Sequence, residues 1–569
     1  MGIDVKQILS QRLSQIFPLS EAVLYEAIEI PPDPRLGDFA IPCFYFAREM
    51  QKNPAQIASD FAIHFSQDAA DDTLIHRTEA HGSYLNLFVN KGHIIQKIIR
   101  HSAYCNFEDL RERGRGKTVV IDYSSPNVAK PFGIGHLRST VIGSSLKRIF
   151  TFLGYCVIGI NHLGDWGTQF GKLITAFKKW GDEKELDTHP IHYLYSLYVK
   201  FHSEAEKKSS LDDEARKWFK LLEQGDQEAR RLWQHFKDLS LIEFKTIYVR
   251  LGVEFEHYTG ESYYRDMIDE TVAKVKARGI TTESEGALIV SLGDDIPPAL
   301  MKKSDDSTLY LTRDIAAALY RHRNYHFDIA LYVVGSPQTL HFKQVFRVLE
   351  AMGYDWFKNC YHVPFGQIRF ADRSMSTRMG NVVFLDDVLD KSVELALEIV
   401  EEKNPGLGNK QDVAEAVGVG AIIFNDLKNN RIKDITFNWD EMLNFNGETG
   451  PYLQYTYARI HSLLEKFKQT YGDVEFKEDL PFGDEGYRIC MLLSEFENTV
   501  VRAAKEFEPS VISRYLLEVA SQFNNFYNSY RVISKDRSLS LTRALIAQGV
   551  MRVLGEGLHL LGIKTVDEM

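Results

Sequence analysis

Within "AKPFGIGHLRST" (129–140) two glycines, Gly133 and Gly135, bracket Ile134 and stand just before His136, and an apolar-periodic segment begins at Leu137. Such residues at the mouth of a helix suit phosphate. Glycine lets the backbone come close to a ligand, the first helical turn offers unpaired N–H groups and a positive dipole end, and an imidazole adds a donor. Far downstream, "SMSTRMGNVVFLDDVLD" (374–390) sets Arg378 near a glycine, where a cation could reach a polyphosphate. Taken alone, the first stretch serves equally as a turn that packs a helix on a sheet, and Arg378 alone says little. As a pair at the two ends of a split nucleotide-binding fold they point to a polyphosphate site.

A strand has to carry the first of these groups to its place. "TVVIDY" (118–123) is the β-branched run expected of a buried parallel strand. The loop "SSPNVAKPFGIGH" follows, then a helix "LRSTVIGSSLKRIFTFL" (137–153), a second strand "YCVIGINH" (155–162), and "LGDWGTQFGKLITAF" (163–177) leading into another helix. This spacing predicts a right-handed βαβ unit, the start of a doubly wound sheet whose ligands bind beyond the carboxyl ends of its strands. Residues 181–250 are rich in Glu, Lys and Leu without strand alternation and read as a helical insertion. The sheet resumes at "FDIALYVVG" (327–335), with a helix at "HFKQVFRVLEAMG" (341–353).

Ahead of the sheet, residues 1–112 read as a small α+β domain. Its first helix carries Val5, Ile8, Leu9, Leu13, Ile16 and Phe17 on one stripe. A proline-rich turn "PPDPRLGDFAIP" (31–42), a helix near 54–66 and an alternating strand "SYLNLFVN" (83–90) follow. The basic stretch "EDLRERGRGK" (108–117) reads as a linker. Residues 113–440 hold the sheet and its insertion. Residues 441–569, helical throughout with aromatics at helical spacing, form a bundle.

With 569 residues, 44% hydrophobic and 25% charged, the chain is a multidomain soluble protein. Cys43, Cys105, Cys156, Cys360 and Cys490 are far apart, so no zinc cluster is expected and a reducing cytoplasm is the simplest home. No run of 18 apolar residues occurs, and the N-terminal stripe reads as a folded helix rather than a targeting signal; no membrane partner is expected. A net charge of −11 argues against coating nucleic acid nonspecifically. It leaves room for an RNA met by local basic faces, with "DLKNNRIKD" (426–434) and "ARIHSLLEKFK" (458–468) as candidates.

The glycine turn and the Met-Ser-Thr-Arg segment resemble, in degenerate form, the "HIGH" and "KMSKS" signatures of class I aminoacyl-tRNA synthetases. Six stretches in order, "SSPNVAKPFGIGHLRSTVIG", "NHLGDWGTQFG", "YLTRDIAAALYR" (310–321), "VVGSPQTLHFKQ" (333–344), "MSTRMG" and "NGETGPYLQYTYAR" (446–459), are similar to the arginyl-tRNA synthetase family over nearly the whole chain. The resemblance implies an α/β fold: a split Rossmann-like parallel sheet with a helical insertion, flanked by the small N-terminal α+β domain and a C-terminal all-α bundle. It also implies that L-arginine attacks the α-phosphate of ATP and that the 2′-hydroxyl of the terminal adenosine of tRNA-Arg then takes the arginyl group. The first step generally needs bound tRNA, and magnesium accompanies ATP. A monomer is expected.

By the same resemblance Lys130, His136 and Arg378 are catalytic. Pro126, Phe132, Gly133, Ile134, Gly135, Met375, Ser376 and Thr377 line the ATP site. Ser125 binds the arginine, Asn127 and Gln338 hold its α-amino end, and Tyr310 and Asp314, with Glu261 of "GES" as a second carboxylate, receive its guanidinium. A planar five-donor cation suits such a fork, and residues four apart share a helix face. The N-terminal domain would touch the outer corner of the tRNA and the bundle its anticodon, with Tyr452, Tyr455, Tyr457, Phe526 and Tyr527 as candidates for base stacking.

Three departures bear on the rate. Gly133 stands where the family usually has histidine, Ser374 and Thr377 replace both lysines of "KMSKS", and the often basic position 379 is methionine. In many members a lysine matching Lys130 is thought to substitute for the second lysine. The expected charge on the leaving pyrophosphate therefore rests on Lys130, Arg378 and Arg373. Two other readings are a tRNA-binding paralogue that has lost catalysis and a ligase that attaches an activated amino acid to a small molecule.

Overall fold

The computed structural model describes residues 4–68, 73–104, 107–188, 190–304, 310–370, 383–445, 447–478 and 480–569. The β-branched runs form a four-stranded parallel sheet in the spatial order Cys360–Phe365, Ile329–Gly335, Thr118–Asp122, Cys156–Ile160. Both faces are covered, as a parallel sheet requires. Val119, Ile121, Leu331, Val333 and Val363 face the main core, and Val120, Ile160, Ala330, Tyr332 and Cys360 a second one.

Thr118–Asp122 is followed in space by Cys156–Ile160 on one side and Ile329–Gly335 on the other. The loops leaving the two central strands therefore part at a topological switch point, and a crevice opens above their carboxyl ends. Between the sheet halves lie the insertion helices Thr168–Trp180, Glu183–Thr188, Pro190–Lys207, Ser210–Gln224 and Gln227–Leu251. The fold is the expected α/β arrangement with its flanking α+β unit and helical bundle.

Two features were not anticipated. Thr281–Ser284, Ala287–Val290 and Ala299–Lys302 form a small antiparallel sheet, and Ile368–Phe370 pairs in parallel with Ile435–Phe437. In the first, Thr281–Ser284 is mostly exposed, while Leu288, Val290, Ala299 and Met301 of the other two strands alternate into a core of their own, over runs of only four residues. The second exists only because two distant tripeptides meet.

The N-terminal unit has an antiparallel sheet in the order Phe39–Pro42, Tyr84–Val89, Ile75–His81. Its last helix, Lys91–Tyr104, reaches the C-terminal bundle. Gln96 Nε2 donates to Glu478 O (2.8 Å), and His101 Nε2 lies 2.7 Å from Glu497 Oε1. The bundle comprises Gly450–Tyr471, Tyr487–Ser494, Phe496–Glu506, Ser510–Ser529 and Arg537–Leu561. A buried ion pair, Arg138 Nε to Asp426 Oδ2 at 3.0 Å, ties the helix after the glycine turn to the helix Lys410–Leu427. "DLKNNRIKD" is thus partly internal, since Asp426 is buried and Arg431 pairs with Glu508 at 3.7 Å. No helix among the described residues is long and apolar enough to cross a membrane.

Candidate active site

The loop after Thr118–Asp122 holds three non-glycine residues in the left-handed region: Ser124 (φ 70°), Ser125 (φ 50°) and Ala129 (φ 60°). Each costs about 1–3 kcal/mol and persists only where its surroundings over-determine it. Here they do. Ser124 N donates to Ser139 Oγ (2.9 Å), Ser124 Oγ lies 2.8 Å from Tyr248 OH, and Thr140 Oγ1 donates to Ser124 Oγ (2.8 Å). Ser125 Oγ donates to Asp122 Oδ1 (3.0 Å), and Ala129 N donates to Ser240 Oγ (2.9 Å). Tyr248 and Ser240 belong to the insertion helix Gln227–Leu251, so the insertion shapes the site loop.

Both glycines were expected to permit close backbone approach, and they differ in this. Gly133 is extended (φ −80°, ψ 161°), a conformation open to any residue. A Cβ added at Gly135 would meet nothing within 4 Å, so room for a ligand lies there. Pro126, Phe132 and Ile134 are buried; Phe132 packs against His136 with ring centroids 5.2 Å apart. Their backbone groups are taken up within the chain: Pro126 O accepts from Gly164 N, Phe132 O from Leu385 N, and Ile134 N donates to Val383 O.

His136 Nδ1 is buried without a hydrogen-bond partner among the described residues. Burial pushes its imidazole down to about 4, the charge on Lys130 adding to the effect, so the ring is neutral near pH 7. Lys130 Nζ lies 5.4 Å from the Tyr198 ring centroid on the insertion helix Pro190–Lys207.

Arg373, Met375, Ser376, Thr377 and Arg378 lie outside the described residues. The chain leaving that segment is bonded to the glycine turn. Ile134 N donates to Val383 O (3.1 Å) and Leu385 N to Phe132 O (2.9 Å). Phe384, between them, stacks on His192 at 4.2 Å.

Across the crevice, Asn127 is fastened to the "NHLGDWG" turn. Val128 N donates to Gly164 O (3.2 Å) and Gly164 N to Pro126 O (3.1 Å). A Cβ on Gly164 would stand 2.4 Å from Asn127 Oδ1, so any larger residue there would displace the Asn127 amide. Gln338 is exposed at the start of the helix Thr339–Ala351.

Tyr310 and Asp314 lie on the helix Tyr310–Tyr325. Arg321 of that helix pairs with Asp122 Oδ2 at 2.7 Å, which brings Asp314 to the strand end. Asp314 Oδ2 is 2.5 Å from His341 Nε2, and Oδ1 is 3.8 Å from His162 Nε2. Burial opposes ionisation of Asp314, but the His341 hydrogen bond, His162 and Arg321 together hold it below the usual carboxylate range.

Glu261 pairs with Arg313, whose guanidinium is 4.8 Å from the Tyr310 ring centroid. Burial pushes Glu261 up to about 8; Arg313 opposes this, and Asp314 and Asp165 add to it. Tyr310 is 57% exposed and so open to a ligand. The structure thus brings Ser125, Asn127, Glu261, Tyr310 and Asp314 to one edge of the sheet. Sequence reasoning missed Arg313, Arg321, His162 and His341. The spacing of residues 310, 313 and 314 on one helix face could have revealed the first.

Residues 100–439 match the family model of the "tRNA synthetases class I (R), catalytic domain". Residues 4–89 match an "Arginyl tRNA synthetase N terminal domain" and 453–569 a "DALR anticodon binding domain". The chain is 46% identical over 573 aligned residues to an arginine–tRNA ligase of Clostridium perfringens, covering 100% of both chains. It belongs to the arginyl-tRNA synthetase family.

A Halothermothrix orenii arginine–tRNA ligase is 45% identical with the same coverage. In fold, the chain is similar to the Thermus thermophilus arginyl-tRNA synthetase (TM-score 0.78, 24% identity, 99% of each chain). It is also similar to the arginyl-tRNA synthetase of Plasmodium falciparum (TM-score 0.77, 22% identity, 99% of each chain). Membership of this class I family means that the enzyme uses ATP.

Proposed function

We propose that the chain activates L-arginine with ATP to arginyl-adenylate and transfers it to the 2′-hydroxyl of the terminal adenosine of tRNA-Arg. The observation that carries this reading is the pair of carboxylates, Glu261 and Asp314, beside the Tyr310 phenol at the same sheet edge as the glycine turn. A guanidinium fits that fork as a lone ammonium does not. Ser125, Asn127 and Gln338 would orient the α-amino end, and the arginine carboxylate would then face the α-phosphate.

The backbone from Pro126 to Gly135 and the neutral His136 would hold ATP, together with Met375, Ser376 and Thr377. Lys130 and Arg378 would neutralise the departing pyrophosphate. These donors, N–H groups, an imidazole and cations, suit phosphate oxygens, and magnesium would accompany ATP.

In the bundle, the Arg459 guanidinium lies 4.8 Å from the Tyr455 ring centroid and 5.6 Å from that of the exposed Tyr527. This surface suits a splayed base, whereas Phe526 is core. The domain roles at 1–112, 113–440 and 441–569 belong to the same proposal, as do a monomeric state and residence in the cytoplasm, to which the free Cys43, Cys156, Cys360 and Cys490 are suited. Arginine-dependent ATP–pyrophosphate exchange with and without tRNA tests the reading. Exchange driven by another amino acid, or absent with tRNA present, would overturn it.

A further inference from the structure

We propose that Arg313 is a positioning residue of the amino-acid pocket: it aims the Glu261 carboxylate and favours its ionised form, so that one carboxylate serves two guanidiniums, the chain's own and the substrate's. The inference rests on the reading of Glu261, Tyr310 and Asp314 as the arginine pocket.

Arg313 and Glu261 are in ion contact with side chains only 12% and 13% exposed. Arg313 also lies over the Tyr310 ring, so it touches two of the pocket groups, Glu261 and Tyr310. Its position is fixed twice, by the carboxylate and by the ring.

The charges around Glu261 show why it needs this partner. Asp314 faces it from the helix Tyr310–Tyr325 and Asp165 from the loop after Cys156–Ile160; both disfavour a further negative charge. Asp165 is balanced by Lys237 of the insertion helix at 2.6 Å and bonded by Ser262 N and Oγ at 2.8 and 2.7 Å. Asp314 is met by His341 and, further off, His162. Glu223, itself disfavoured by burial, lies near Arg313 and Arg265. Among the described residues Arg313 is the cation paired with Glu261. A buried carboxylate stripped of its cation takes a proton instead. A protonated Glu261 would no longer attract a guanidinium, and burial already pushes it up to about 8 with Arg313 present.

The test is tRNA-dependent ATP–pyrophosphate exchange as a function of arginine concentration and pH, on the full chain. In Arg313→Gln the KM for arginine is expected to rise by about tenfold or more near pH 7, the worth of one charge-assisted hydrogen bond, with kcat at saturating arginine little changed. The defect is expected to shrink as the pH is raised from 7 toward about 9, because the ionised fraction of Glu261 grows with pH. Glu261→Gln is expected to show the same rise in KM without recovery at high pH. Arg313→Lys keeps the charge but not the planar fork. Its KM is expected to rise a few-fold while its pH profile stays that of the parent, and it decides the matter if Arg313→Gln does not fold.

A parent-like KM in Arg313→Gln, a defect of equal size at both pH values, or a displaced pH profile in Arg313→Lys would each overturn the inference. Asp314→Asn separates this from the larger reading. If Asp314→Asn and Glu261→Gln both keep the parent KM, the pocket itself is misassigned. If they lose arginine while Arg313→Gln does not, only the role of Arg313 falls.

Discussion

Arg321 Nη2 stands 2.7 Å from Asp122 Oδ2, with side chains 1% and 8% exposed, and Arg321 lies between the rings of Tyr264 and Tyr332. This buried pair joins the end of the first sheet strand to the helix that carries Asp314. Two parts of the site far apart in sequence are therefore held in one frame.

Arg321→Met would leave Asp122 buried without its cation. It is expected to destabilise the chain by about 3–5 kcal/mol, whereas adding Asp122→Asn should restore much of the loss. Urea unfolding measures both; equal midpoints for parent and single variant would remove the pair from the list of structural anchors. The single variant should also raise the KM for arginine, because Asp314 loses its reference to the strand end.

Neutral His136 makes a prediction about acid. Its folded value of about 4 lies below the ordinary 6.5, so the unfolded chain binds the proton more readily over that window. The contribution to stability is complete above the ordinary value and is lost as the pH falls toward the folded one. A shift of this size corresponds to roughly 3 kcal/mol. His136→Asn, which cannot titrate, is expected to lose less stability than the parent between about pH 7 and pH 5. Identical losses in urea unfolding would refute the depressed value.

Lys130→Ala should lower the rate of arginine activation by ~10²–10³ while changing the KM for arginine little, as expected of a charge that acts on the departing pyrophosphate. Gly133→His should alter the rate only slightly. The extended backbone of Gly133 is one that histidine also adopts, and on the proposed reading Gly135 and His136 would form the cradle without it. Steady-state exchange decides both, and an unchanged rate in Lys130→Ala would place the phosphates elsewhere.

Citrulline has the shape of arginine without its charge and would set a carbonyl oxygen against Asp314 or Glu261. Discrimination in kcat/KM of ~10⁴–10⁵ is expected, as for sites whose buried polar groups are left unpaired by the wrong ligand. Asp314→Asn should abolish most arginine use and narrow that gap. Charging of tRNA at the parent rate by Asp314→Asn would remove Asp314 from the pocket.

The sheet strands and the helix Leu137–Phe152 were legible because their pattern is local: β-branched runs, then apolar positions at helical spacing. The left-handed turn was not. Ser124, Ser125 and Ala129 are ordinary residue types, and the groups that hold the turn, Ser139, Tyr248 and Ser240, come from elsewhere in the chain. Arg313 was hidden for the same reason, since its partner Glu261 lies 52 residues away. The segment 426–434 looked like a basic surface because nothing local announces that Asp426 meets Arg138. Residue types revealed the chemistry, whereas partners set by tertiary packing stayed out of reach.

The contacts of the helix Lys91–Tyr104 with Glu478 and Glu497 close the chain into a ring, the first domain gripping the last. A nucleic acid that engages both ends would meet them at a fixed spacing, like the jaws of a locked caliper. Once one jaw holds the RNA, the other binds at a high effective concentration, and two weak contacts suffice for one firm grip. An RNA of the wrong span would satisfy one jaw and miss the other. On that reading, length itself would be a criterion of selection.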